Sequence, residues 1–472
     1  MGQLLDVEAL VDGQRFGRFN ANLLLWSFLA MLADGFDISS LASAAPQLAR
    51  TWHLPAAALA PALSASLFGI LFGAPLLGYV GDRFGRKRAI VAGSFLYGLA
   101  TLGTVWSSNL DQIVALRALA GIGIGGLMPN TIALTSELSP RRLREALIVL
   151  MFTGITTGSG VPGLVQAWLI PRYGWPIMFW IGGLIPLFVG VCLIFALPES
   201  VKYLAARPER RGELLTTLRR LRRDVAVADD AQVSLAITPR VSGTGLAQIL
   251  GRRLAWVTPI LWLCFLATLM ADYAITSWLP TIFESSGLSA QQSGLAVSCY
   301  HYGGTVGGLV FALLLGRFGF SMIAATAFIA APAIAAIGLL DRSFLGLVSV
   351  VGLAGFGVLG AQFGNNAAAG LIYPTAYRSR GVGWALGVGR FGSIVGPLVG
   401  GVLIGMGLAP RRLFVLAAVP MLITLLASTA LAVISFRRLG DSRLDDLTQT
   451  PESPRRYLET AKQNRSTFEL PQ

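Results

Sequence analysis

Met31-Leu-Ala-Asp-Gly-Phe-Asp-Ile-Ser-Ser40 places two carboxylates, Asp34 and Asp37, inside an apolar run that extends from Leu23 to Leu48. A run of that length, opening on Leu23-Leu24-Leu25-Trp26, reads as a membrane-spanning helix. Charged side chains near the middle of such a helix cost several kcal/mol unless they face a protein interior or a wet cavity, so they mark a site of function. Residues three apart lie about 60° apart around a helix, with Cβ atoms roughly 5–6 Å apart. Both carboxylates are therefore expected to look into the same space. Two like charges that close in a poorly solvated site do not both ionise readily, which suits a site where a proton comes and goes. Gly35 between them lets another helix or a ligand approach the backbone.

The rest of the chain fits a membrane. Of its 472 residues, 54% are hydrophobic and 13% charged, and the mean hydropathy is +0.66. That composition excludes an ordinary soluble domain. A net charge of +13 would suggest nucleic acid as partner of a soluble chain, but the placement of the charge decides. Thirty of the 37 Lys and Arg fall in the N-terminus, the C-terminal tail and alternate connections, 5 in the other connections and 2 inside apolar segments. This positive-inside pattern predicts a multi-pass protein of the inner membrane with both termini cytoplasmic. No zinc-knuckle spacing, aromatic–basic interleaving or recognition helix is present, so the expected partners are lipid and a small molecule, with no nucleic acid. The first 20 residues are polar, and the first apolar run is full length, so no cleavable signal peptide is expected. Cys192, Cys264 and Cys299 stand singly in apolar runs, which implies neither disulfides nor a metal site.

Twelve apolar segments can be drawn, from 22–46 to 413–435, six on either side of the long polar stretch 198–254. The fold class is thus an all-α membrane protein, with twelve transmembrane helices in two six-helix pseudo-symmetric halves. The expected divisions are a bundle at 1–197, a cytoplasmic central loop at 198–254, a second bundle at 255–436 and a polar, disordered tail at 437–472. Within the central loop, Gly212–Arg223 has the pattern of an amphipathic helix lying on the membrane surface, with a loose linker as the alternative.

Between the second and third segments the chain reads Gly78-Tyr-Val-Gly-Asp-Arg-Phe-Gly-Arg-Lys-Arg88, in the pattern G-x-x-x-D-R-x-G-R-K. This pattern, at this position in a six-plus-six chain, resembles the signature loop of the major facilitator superfamily. An acid at a helix end beside clustered Arg can lock neighbouring helices in one conformation and release them in another. Gly78, Asp82, Arg83, Gly85 and Arg86 are accordingly gating candidates, with Glu137 at the next cytoplasmic connection.

Four further stretches resemble the aromatic acid:proton symporter branch of that superfamily. They are Asp34-Gly-Phe-Asp37 itself; Arg117 to Asn130, running on to Glu137 and Pro140-Arg-Arg-Leu-Arg144; Trp278-Leu-Pro280 with Gly303-Gly-Thr-Val-Gly-Gly308; and Tyr373 to Trp384, running into Gly389 to Gly401. The resemblance implies proton-coupled uptake of a hydroxybenzoate-like acid by a monomer, with no cofactor beyond the proton, and it connects Arg117 with Asp34 and Asp37 in proton coupling. Two features depart from the superfamily's patterns. Gly316 in Leu315-Gly-Arg-Phe-Gly319 stands where the second-half loop tends to carry an acid, and the fifth segment lacks the glycine–proline motif of drug antiporters.

A carboxylate substrate needs a cation at depth, and a guanidinium offers a planar fork matched to it. Arg390, bordered by Gly387, Gly389 and Gly392, is the candidate. Phe36, Tyr300 and Trp384 could stack on an aromatic ring, and Gln362 and Asn365 are polar groups at depth. His301 could shuttle protons or hydrogen-bond a phenol, or simply be a satisfied polar residue. Asp272 is either partner to an Arg or part of an outer gate. The competing readings are a symporter of a non-aromatic acid, such as a dicarboxylate or sugar acid, and a sensor built on the transporter fold. An enzyme is not expected, since no nucleophile–base–orienter set, metal spacing or phosphate-cradling loop is present.

Overall fold

The computed structural model describes residues 4–222, 232–234, 249–251, 254–318, 320–339, 343–373 and 378–439. Twelve helices are long and apolar enough to cross a membrane, as the apolar runs predict. Helices one to six span Arg18–Thr51, Ala60–Phe84, Arg86–Gly103, Leu110–Leu138, Arg141–Trp168 and Pro176–Ala196. Helices seven to twelve span Val257–Ser285, Ala290–Phe318, Phe320–Ile337, Phe344–Ile372, Arg378–Gly405 and Pro410–Leu439. Several run about a turn beyond their apolar windows, because a helix that satisfies its own backbone continues through the head-group layer until a capping residue or glycine stops it.

Helix pairs one and five, two and four, and three and six pack together in the first half. The same pairs recur six helices later, as seven and eleven, eight and ten, and nine and twelve. Small residues set the spacing. A Cβ on Gly35 would overlap the Ile155 carbonyl of helix five, so the close approach foreseen at Gly35 is made by a helix.

Helices five and eight make the most intimate seam between the halves, with Gly163 against the Gly294 carbonyl and the Ser298 side chain. Helix one meets helix seven, and helix two meets helix eleven. These contacts gather toward the face opposite the basic connections. There Ser64 donates to the Ile394 carbonyl (3.2 Å), and Gly401 packs on Ala57 and Ala60. Toward the basic face the halves diverge. The Cα atoms of Gly78, Gly370, Gly383 and Gly387 face open space, and Tyr79 and Trp384 are exposed. The molecule is therefore closed at the opposite face and open at the basic one.

In the central stretch the helix Arg211–Leu221 forms close to where the sequence places one. Its apolar side does not lie on a membrane: Leu214, Leu215, Leu218 and Leu221 are buried in a cluster with Leu10, Val11, Val201 and Leu204. A helix end with so many leucines gains more by packing on protein that already presents apolar side chains. Leu4–Asp6 pairs in parallel with Gln232–Ser234, joining the N-terminus to the central stretch. The tail beyond residue 439, residues 223–231, 235–248 and 252–253 of the central stretch, Gly319 and 374–377 of the Tyr373–Trp384 motif lie outside the described residues.

Candidate functional site

The two aspartates of helix one have different surroundings. Asp37 is fully buried and salt-bridged to Arg117 of helix four, which is 1% exposed. Both nitrogens of the guanidinium fork engage the carboxylate, Nη1 at 3.2 Å from Oδ1 and Nη2 on Oδ2. Thr101 Oγ1 of helix three donates to Oδ1 as well (2.7 Å), and the Phe179 ring lies 6.0 Å from the guanidinium. A buried carboxylate so supplied has the counter-charge and donors that make the ion tolerable in a low dielectric.

Asp34 is also buried, but its Oδ1 has no hydrogen-bond partner among the described residues. Across the seam, Arg390 acts on it electrostatically and also on the hydroxyl of Tyr273 in helix seven. Asp34 of the first half and Tyr273 of the second are thus both within electrostatic reach of Arg390 at mid-depth. The two carboxylates act on each other across one turn and both act on Tyr97 of helix three; within that shared neighbourhood Asp37 is held by helices three and four, while Asp34 is also reached by Arg390 across the seam.

Other candidates fall in different places. Phe36 is 1% exposed and packs on Gly182 and Thr101, inside the first half rather than at the seam. Tyr300 donates to Asp272 Oδ1 (3.0 Å), so the partner of Asp272 is a phenol and not an Arg. His301 reaches Ser39 of helix one, Nε2 to Oγ 3.4 Å, and so bridges the halves. Asn365 ties helix ten to Thr268 of helix seven (3.1 Å), while Gln362 Nε2 lies 3.5 Å from Asn366. Both amides keep a buried carbonyl oxygen without a partner among the described residues. Trp384 stacks on Trp262 (5.9 Å), well toward the basic face from Arg390. Among the described residues no group of His, Cys, Asp and Glu is arranged to hold a metal ion.

A profile of the Major Facilitator Superfamily matches residues 27–365 and 261–464. The chain belongs to the major facilitator superfamily. It is 36% identical over 411 residues to the 4-hydroxybenzoate transporter PcaK of Pseudomonas aeruginosa, covering 85% of this chain and 90% of that one. It is 35% identical to the gallate transporter of Pseudomonas putida, over 90% of this chain and 95% of that one. The benzoate transport protein of Acinetobacter baylyi is 29% identical, over 89% of this chain and 91% of the other.

In this facilitator the loop between helices two and three is organised by groups beyond the signature pattern. Asp82 pairs with Arg86, and Arg86 Nη1 donates to Asn130 Oδ1 (3.0 Å) of helix four. Asn130 in turn donates to the carbonyls of Leu77 (3.0 Å) and Gly126 (2.7 Å). Gly85 has φ 113°, and Glu199 lies against it, accepting the Lys87 N–H (3.1 Å) at the start of helix three. A carboxylate at a helix N-terminus is favourably placed. Glu137 accepts from Ser200, and Arg83 donates to the Tyr79 hydroxyl (2.8 Å). The network ties the basic end of the first half together, with Asp82 largely exposed toward the opening.

The opposite face is closed by residues that the sequence did not single out for this role. Glu284 at the end of helix seven is 7% exposed, is salt-bridged to Arg50 of helix one, and accepts from Gln166 of helix five (2.9 Å). Gln166 also donates to Ser293 of helix eight (3.2 Å). Asp272, three turns deeper, takes no part in this closure, which corrects its reading as an outer gate. Arg50 is mostly exposed, so the ion pair itself is worth little; the buried carboxylate's bond to Gln166 carries the closure. Glu284→Ala, which removes the acceptor of the Gln166 bond, is expected to raise several-fold the rate at which a thiol at Ala42→Cys, in a background without the native cysteines, is labelled from the opposite face. An unchanged rate would remove Glu284 from the closure.

Proposed function

We propose that this facilitator takes up an aromatic carboxylic acid of the hydroxybenzoate kind together with a proton, across the inner membrane, with its basic face in the cytoplasm. The observation that carries the reading is that Asp34, whose Oδ1 has no partner among the described residues, and Tyr273 both lie within electrostatic reach of Arg390 where the two halves face each other. A guanidinium there binds a carboxylate, a phenol can hydrogen-bond a hydroxylated ring, and an acid without a donor can carry a proton. The names of the relatives support the substrate class.

On this reading the structure is the inward-open state. Proton uptake by Asp34 from the outside removes a negative charge that would otherwise compete for Arg390, so an organic anion is admitted. The halves rock about the seam of helices five and eight. Inside, at lower proton concentration, Asp34 releases its proton, becomes a counter-ion for Arg390, and displaces the substrate carboxylate. No step needs a cofactor.

The test is uptake of radiolabelled 4-hydroxybenzoate, gallate and benzoate into proteoliposomes, with succinate as the aliphatic comparison and an inward proton gradient on or off. Gradient-driven accumulation of aromatic acids is expected, and Arg390→Ala should raise KM about 10- to 100-fold through loss of a charge-assisted bond. Accumulation of succinate with no flux of the aromatic acids would overturn the substrate class.

A further inference from the structure

A cavity of about 610 Å³ opens at the basic end of the first half, between helices three and six and the helix Arg211–Leu221. The transport cycle described above does not use it. Four cations line it, Lys87, Arg88, Arg210 and Arg220, against two carboxylates, Glu199 and Glu213. Both carboxylates are already engaged. Glu199 accepts the backbone N–H groups of Lys87 (3.1 Å) and Ser200 (2.9 Å), and Glu213 is bonded by Arg210, Nε to Oε1 2.9 Å. Those bonds hold the Glu213 carboxyl below the usual range, so it stays charged and committed to Arg210. Arg88 and Arg220 are exposed and form no salt bridge among the described residues. The cavity therefore keeps positive charge in excess of its own acids.

Its remaining wall is apolar and continues into the membrane surface. Leu184, Phe188, Val191 and Phe195 lie at helical spacing along helix six, and all are exposed, Phe195 at 81%. Phe195 lines the cavity itself, next to Val91 of helix three. A cationic pocket at the end of a membrane helix, opening onto an apolar stripe of that helix, matches a phosphate head group with an acyl chain below it. Free phosphate would use the first part and leave the second without purpose.

We infer that this cavity is a binding site for an anionic phospholipid, with the head-group phosphate held by Arg88, Arg220 and Lys87 and an acyl chain along Phe195 and Phe188. Bound there, the lipid would join the central-stretch helix to helices three and six.

The probe is dioleoyl phosphatidylglycerol added to the full-length protein in dodecyl maltoside, read by native mass spectrometry as lipid adducts per protein. Dioleoyl phosphatidylcholine and glycerol 3-phosphate serve as comparisons. Each cation at a membrane surface is worth roughly fivefold in affinity, so Arg88→Gln with Arg220→Gln should weaken phosphatidylglycerol binding about 25-fold. The phosphatidylcholine adducts should be unchanged, and an unaltered thermal unfolding profile would show the double variant folded. Should it misfold, Phe195→Ser is the second variant, expected to reduce phosphatidylglycerol adducts several-fold without touching a charge. Equal phosphatidylglycerol binding by wild type and folded variants would overturn the site. So would displacement of the lipid by glycerol 3-phosphate at equal concentration, which would assign the pocket to a soluble phosphate.

Discussion

Asp34→Asn is expected to abolish accumulation of substrate against its gradient while leaving counterflow, the exchange of labelled for unlabelled substrate, close to that of wild type. The amide has the shape of the neutral acid, so Arg390 still binds the substrate carboxylate; what disappears is the proton. Each unit of pH difference across the membrane is worth about 1.4 kcal/mol, or tenfold in accumulation for one coupled proton. Wild-type proteoliposomes should therefore gain about tenfold in uptake ratio per unit of inward gradient, and the variant should show no dependence on it. Because the buried Oδ1 of Asp34 has no donor to lose among the described residues, its replacement should cost little thermal stability. Gradient-dependent accumulation by the variant would assign the proton to another group, and the first to examine would be Asp272, the acid buried against Tyr300.

The second large effect is on stability. Arg117→Ala leaves the carboxylate of Asp37 buried with one hydroxyl and no counter-charge, and breaking a buried pair in this way costs about 3–5 kcal/mol. The expected result is a much earlier thermal unfolding transition in detergent, or failure to accumulate in the membrane at all. The control is the paired replacement Asp37→Leu with Arg117→Met. It removes both charges together and should restore most of the loss, since well-packed apolar residues often replace a buried pair at little cost. A stable Arg117→Ala single variant would mean that water or a rearranged donor reaches Asp37, and the pair would lose its structural role. The contrast between the two aspartates is the sharper result: one substitution removes the driving force from a folded protein, and the other removes the fold.

That contrast was only half legible in the sequence. Apolar runs as long as Leu23–Leu48 fix a spanning helix by length alone, and the basic residues of alternate connections fix which ends lie together, so the twelve helices and their division follow directly. The carboxylates stood out in the sequence because charge is rare at that depth. Their partners were not, since Arg117 is 80 residues from Asp37 and only packing brings helix four to helix one. Phe36 shows the same limit, because neighbouring positions on a helix point to different environments, and the small Gly182 opposite it admits the ring to the core. Arg50 and Glu284 were invisible as a pair for another reason. Charges at helix ends are commonplace, and nothing local distinguishes one that closes a pathway from one that is merely solvated. Asn130 had a faint local signal, an amide inside a glycine-rich helix, whereas Glu199 had none, because the Gly85 it lies against is remote in sequence.

The seam of helices five and eight is built where Gly163 meets the Gly294 carbonyl, main chain on main chain. Interdigitated side chains would behave as gear teeth, resisting any tilt until they jump a notch. Close main-chain contact, with only small hydroxyl side chains such as Ser298 and Thr305 bonded across it, behaves more like a plain bearing. In the cycle proposed above, such a bearing would leave the tempo to the rims, where Glu284 would let go on one side and Asp82 and its neighbours would meet the other half on the other.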